Sequence, residues 1–117
     1  MRTFEVFLNR KRLCIAGIEA DCVLSAIINY VSIKRDRKRD RSGLTVGGLN
    51  TEKDEHVRWV NRSLRVGDEI RIRIAKRTRA DKAVERIPRD RAKDMESMKR
   101  YVREYAKQLG WEIKESA

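Results

Sequence analysis

A chain of 117 residues has the length of one domain. Its residues are 40% charged and 40% hydrophobic, the latter clustered and periodic, which excludes a wholly disordered chain and leaves no run near the roughly 20 apolar residues of a membrane helix. Two cysteines exclude a disulfide scaffold, and the net charge of +11 points to a polyanionic partner.

Thr3–Asn9 alternates, with Phe4, Val6 and Leu8 on one face, which predicts a half-buried strand. The Asn9–Arg12 stretch turns the chain, and Leu13–Ile18 returns as the second strand of a hairpin. Asp21 is placed to cap a helix. Leu24, Ile27, Ile28 and Val31 follow at i, i+3, i+4, i+7, which predicts an amphipathic helix running into a basic segment. Leu44–Leu49 reads as a short strand interrupted by Gly47-Gly48. His56–Asn61 reads as an edge strand or an irregular segment, and Leu64–Ala75 as a strand with Ile70, Ile72 and Ile74 on one side and Arg71 and Arg73 on the other. Residues 76–88 read as a basic linker. From about Arg89 to Leu109, Met95, Met98, Val102, Tyr105 and Leu109 step by 3 and 4, a helical stripe, with Gly110 placed to end the helix and Trp111 and Ile113 as an apolar tail.

The expected class is therefore α+β: hairpin, helix and further strands in a small mixed sheet, then a C-terminal amphipathic helix. Its units are a core at 1–75, a linker at 76–88 and a helical unit at 89–117 that packs on the core or on a partner. The order of elements over residues 3–75 resembles the β-grasp, and a small barrel fits the same strands. Ubiquitin-like sulfur carriers of the β-grasp fold end in Gly-Gly. This chain ends Lys114-Glu115-Ser116-Ala117 and its Gly47-Gly48 pair is internal, so a carrier role is not expected.

The charge is unevenly placed. Residues 34–41 carry a net +4 and residues 76–93 a net +5, while the other segments are nearly neutral. Lys34, Arg35, Arg37, Lys38, Arg39 and Arg41 are candidate phosphate contacts, with Asp36 placed to pair with Arg39 and Asp40 with Arg37. Arg71, Arg73, Lys76 and Arg77 extend the candidate surface if the strand face lies near that segment. Aromatic interleaving is sparse and no helix-turn-helix or RNP-like motif is present, so nucleic acid would be gripped by its backbone, not read by sequence.

Catalytic chemistry has little support. His56 is the single histidine and no nucleophile is placed beside it in sequence. Cys14, Cys22 and His56 do not make a zinc set, and no nucleotide-binding glycine motif is present. No catalytic residue, metal or cofactor is expected. Cys14 and Cys22 read as small buried hydrophobes in a reducing compartment, with no signal-like N-terminus, which suggests a cytoplasmic, bacterial-style protein. The reading is a non-catalytic module that contacts nucleic-acid backbone. The alternative is an adaptor, inhibitor or antitoxin-like module docking an acidic protein. The stripe from Met95 to Leu109 either packs on its own sheet or pairs with a second copy as a homodimer.

Overall fold

The computed structural model describes residues 1–114. Glu115, Ser116 and Ala117, the end of the expected unit 89–117, lie outside the described residues. Strand β1 (Arg2–Leu8) and strand β2 (Lys11–Ala16) form the expected hairpin. Asn9 and Arg10 join them with φ of 49° and 71°, the left-handed pair that matches the twist of a two-residue hairpin. The Asn9 side chain donates to Asp68 and accepts from the Glu69 N–H, both at 2.9 Å.

The next element departs from expectation. Residues Cys22–Val31 form strand β3, not a helix. The segment is rich in Val and Ile, which pack well on a pleated surface and lose side-chain freedom in a helix. It is also apolar at odd and even positions alike, so the helical spacing of Leu24, Ile27, Ile28 and Val31 arises from a run apolar on both faces. Asp21 caps no helix. Its carbonyl instead accepts from the Thr51 N–H at 2.9 Å, which starts the β3 ladder. The α+β class stands, with a strand where the β-grasp-like order needed its central helix.

Strand β4 (Arg41–Asn50) and strand β5 (Glu55–Leu64) follow, then strand β6 (Ile70–Lys76) after a turn containing Gly67. Strand β7 is Glu85–Pro88. The described residues form two antiparallel sheets, a three-stranded one in the order β2-β1-β6 and a four-stranded one in the order β3-β4-β5-β7. Strand β5, expected at an edge, lies inside the second sheet. The segment read as a linker belongs to the sandwich. Within it, Asp81 engages the backbone of Ile15 on β2 twice. Its N–H donates to the Ile15 carbonyl, and its carboxylate accepts from the Ile15 N–H, each at 2.8 Å. The Asp81 carbonyl accepts from the Trp59 indole of β5 at 2.8 Å, so one residue clasps both sheets.

Val6, Cys14 and Ala16 of the first sheet meet Leu44, Val46, Val57 and Trp59 of the second in the buried core. Trp59 is the extra residue of a bulge between the Val46–Val60 and Gly47–Arg58 pairs, which lets both Trp59 and Val60 pack inward. Gly48 allows close strand approach, since a Cβ there would fall on the Val23 carbonyl oxygen. Gly48→Ala is expected to cost about 1–3 kcal/mol by overpacking, read as a lower denaturant midpoint at unchanged slope.

The C-terminal helix α1 (Arg91–Leu109) is where the stripe predicted it. Asp90 caps its start, accepting from the Lys93 N–H at 3.0 Å, and Gly110 ends it at φ 71°. It meets the sheets through ions, not through its stripe: Asp54 accepts from Arg91 at 2.6 Å and faces Arg89 at 3.9 Å. These guanidiniums, Arg91 first by its hydrogen bond, hold the Asp54 carboxyl below its ordinary value. A carboxyl with a lowered folded pKa contributes stability above the unfolded value, 3.8, and loses it as pH falls through the lower folded value. Acid titration is expected to release α1 from the 51–54 turn below that range, and Asp54→Asn to remove that step when helix-to-turn distance is followed by fluorescence.

The stripe takes no part in the buried core, and Met95, Met98, Val102, Tyr105 and Leu109 are each more than half exposed. The molecule is correspondingly spread out. Its radius of gyration is 18.8 Å and its extents are 55 × 43 × 19 Å, against about 13 Å for the radius of gyration of a compact chain of this length.

Candidate polyanion-binding surface

The β3–β4 connection, residues 32–40, is the tip of the longest hairpin in the chain, and a single 3-10 turn at Arg37–Arg39 shapes it. Its two acids are used internally. Asp40 accepts from the Tyr30 hydroxyl at 3.1 Å and the Ser32 hydroxyl at 2.9 Å, and Asp36 pairs with Arg39 at 3.2 Å. The expected Asp36–Arg39 pair forms, whereas Asp40 goes to the hydroxyls and not to Arg37. Lys34, Arg35, Arg37, Lys38 and Arg41 are left exposed, with no acidic partner among the described residues.

A second basic group lies on the outer face of the first sheet. Arg71 stands opposite Phe7, with its guanidinium 5.8 Å from the ring centre, and Arg73 stands opposite Glu5. Arg12 of β2 also pairs with Phe7, so three arginines line one face. Sequence reasoning misses Arg12 because it falls in the presumed turn; its position within strand β2 is what puts it opposite Phe7. The other two candidates on this segment do different work. Lys76 pairs across from Arg2 and, by alternation, points to the side of Ile74, away from Arg71 and Arg73. Arg77 is bound to the carboxylate of Glu5, whose side chain is only 4% exposed. It neutralises a buried acid and is not an open cation.

The two groups belong to different sheets and do not share one strand face. They do approach the same end of the sandwich. Ser42 pairs with Leu64, which brings Arg41 beside the end of β5 and the 65–69 turn. That turn leads into Ile70, opposite Leu8, and is tied to Asn9. Arg62, opposite Leu44 and exposed, adds a further cation on this side.

Elsewhere, His56 lies exposed on β5 opposite Leu49. It lines an open groove of about 390 Å³ with Val23, Ser25, Leu49, Arg58 and Ile87, and has no hydrogen-bond partner among the described residues. Cys14 is buried, and burial with the nearby Asp81 charge pushes its thiol up to about 11. Cys22, expected buried, is exposed at the start of β3. No helix among the described residues is long and apolar enough to cross a membrane. No family model, curated protein or solved structure matches the chain.

Proposed function

We propose that this chain is a non-catalytic binding module that grips the backbone of nucleic acid with the β3–β4 tip. The observation that supports it is the state of the tip's charges: both acids are engaged, and Lys34, Arg35, Arg37, Lys38 and Arg41 face solvent without an acidic partner among the described residues. Guanidinium groups so presented suit phosphate oxygens, which they hold in bidentate fashion. Arg12, Arg71 and Arg73 form a second contact surface on the first sheet, and Arg71 over Phe7 offers a platform to a base or sugar. Two free thiols suit the reducing cytoplasm as the setting. The test is the affinity for mixed-sequence duplex DNA and RNA as salt is raised. The five tip contacts alone contribute about −4.5 to the slope of log affinity against log salt, and absence of binding at about 50 mM salt contradicts the reading.

A second reading rests on helix α1. Its stripe from Met95 to Leu109 is more than half exposed, as an anchor for a protein partner is, with the basic tip steering an acidic surface toward it. A partner captured equally with and without nuclease supports this reading over the first.

A further inference from the structure

The four sheet edges among the described residues are unequally protected. The edge of β2 is covered by Asp81, which bonds both backbone groups of Ile15. Strand β6 carries Arg71, Arg73 and Lys76 along its length. Strand β7 is four residues long and ends in proline. Charges, proline, brevity and covering loops are the usual means by which an edge avoids pairing with another chain. Strand β3 has none of them. It is ten residues long, and its pairing with β4 has no bulge. The run from Cys22 to Ile33 contains no charged residue in a chain that is 40% charged. Its exposed side chains include Val23, Ile27 at 54%, Ile28 and Tyr30 at 66%.

The open edge can be read residue by residue. Thr51 donates to the Asp21 carbonyl, and Asp21 and Thr51 continue the register of Cys22 with Asn50. In an antiparallel ladder the bonded positions alternate. Odd residues of β3 therefore bond β4, and Cys22, Leu24, Ala26, Ile28 and Tyr30 direct their N–H and C=O groups outward.

We infer that this edge pairs with β3 of a second copy, antiparallel about a two-fold axis, joining two four-stranded sheets into one of eight strands. Self-pairing suits the strand. Paired residues must share a face, so the axis passes through a residue. Centred on Ile27, it sets Val23 against Val31 of the second copy, Leu24 against Tyr30, Ala26 against Ile28 and Ser25 against Asn29, like against like at each step. Centred on Ala26, it sets Ser25 against Ile27 and Val23 against Asn29. The absence of charge removes the repulsion that two copies of a +11 chain meet elsewhere. A two-fold pair also consumes the edge in each copy and so closes at two. The surface has room for it: 10148 Å² is exposed, against about 6,600 Å² for a compact monomer of this mass, and a stable interface hides about 1,600 Å².

Full-length protein carrying Cys22→Ser and Ile27→Cys tests the register directly. Ile27 sits on the two-fold at a non-hydrogen-bonded position, where opposed strands come close enough for a disulfide. Mild oxidation is expected to give a covalent dimer, while Cys22→Ser with Val66→Cys, in the exposed 65–68 turn, remains uncrosslinked. Sedimentation of the wild type at micromolar concentration is expected to show a dimer. Ile28→Pro removes an outward N–H and no bond to β4, and by symmetry two inter-copy bonds, so it is expected to weaken the dimer about 30-fold. A monomeric wild type overturns the inference, as does equal crosslinking at positions 27 and 66. So does a dimer dissolved by Met98→Lys on α1 but untouched by Ile28→Pro.

Discussion

Glutamine in place of Lys34, Arg35, Arg37, Lys38 and Arg41 together is expected to lower the affinity for a mixed-sequence duplex about a thousandfold near 0.1 M salt. Counterion release sets the size of the effect. Each phosphate that is no longer neutralised takes about 0.9 off the salt slope, so five shift it by about 4.5. The fold is expected to survive, because none of these side chains makes a hydrogen bond or ion pair among the described residues. Arg39 is left in place since it holds Asp36. Net charge is separated from location by a second variant. Glutamine at Lys53, Lys82, Lys93, Lys99 and Lys107 removes the same charge from exposed positions elsewhere, and the drop in affinity is expected to stay within about tenfold. Fluorescence anisotropy at matched salt reads both.

Arg77→Met is expected to destabilise the fold by about 3 kcal/mol, a large share of the roughly 5–15 kcal/mol typical of a domain. Glu5 lies in β1 with its side chain 4% exposed, between β2 and β6, and Arg77 is its ion-pair partner. Removal of the guanidinium strands a charge where water cannot reach it. Breaking a buried pair costs about 3–5 kcal/mol, and the lower end applies because Arg77 is itself 43% exposed, so solvent screens that side of the pair. Adding Glu5→Gln removes the stranded charge, and the double variant is expected to recover much of the stability in a urea titration. Arg77→Met protein, where folded, is expected to bind duplex like the wild type. Arg77 thus sits in the most basic stretch of the sequence yet serves the core.

That residue illustrates what can be read from sequence. The hairpin, the C-terminal helix with its Gly110 terminus, and the faces of Ile70, Ile72 and Ile74 against Arg71 and Arg73 follow from local periodicity and turn chemistry, which need no knowledge of neighbours. The tip is legible as a charge cluster, and Asp36 with Arg39 as a pair three residues apart. Strand β3 is not legible as a strand, because an apolar run satisfies the helical and strand periods together and only pairing with β4 decides between them. Strand β7 is hidden for another reason. Glu85–Pro88 is short and charged, and it becomes a strand through its pairing with residues 55–58. Asp81 and Arg77 bond residues 66 and 72 positions away, so their roles lie beyond any local pattern. Cys22 is exposed because β3 is an edge, a property of the sheet order and not of its flanking residues.

The most direct measurement of the central claim is an NMR titration of the isotope-labelled protein with a mixed-sequence duplex at low salt, following the backbone amides. Shifts are expected to concentrate at residues 34–41, with a second set at Arg12, Arg71 and Arg73, all reversed by added salt. Shifts confined to helix α1, or no shifts at all, would contradict it.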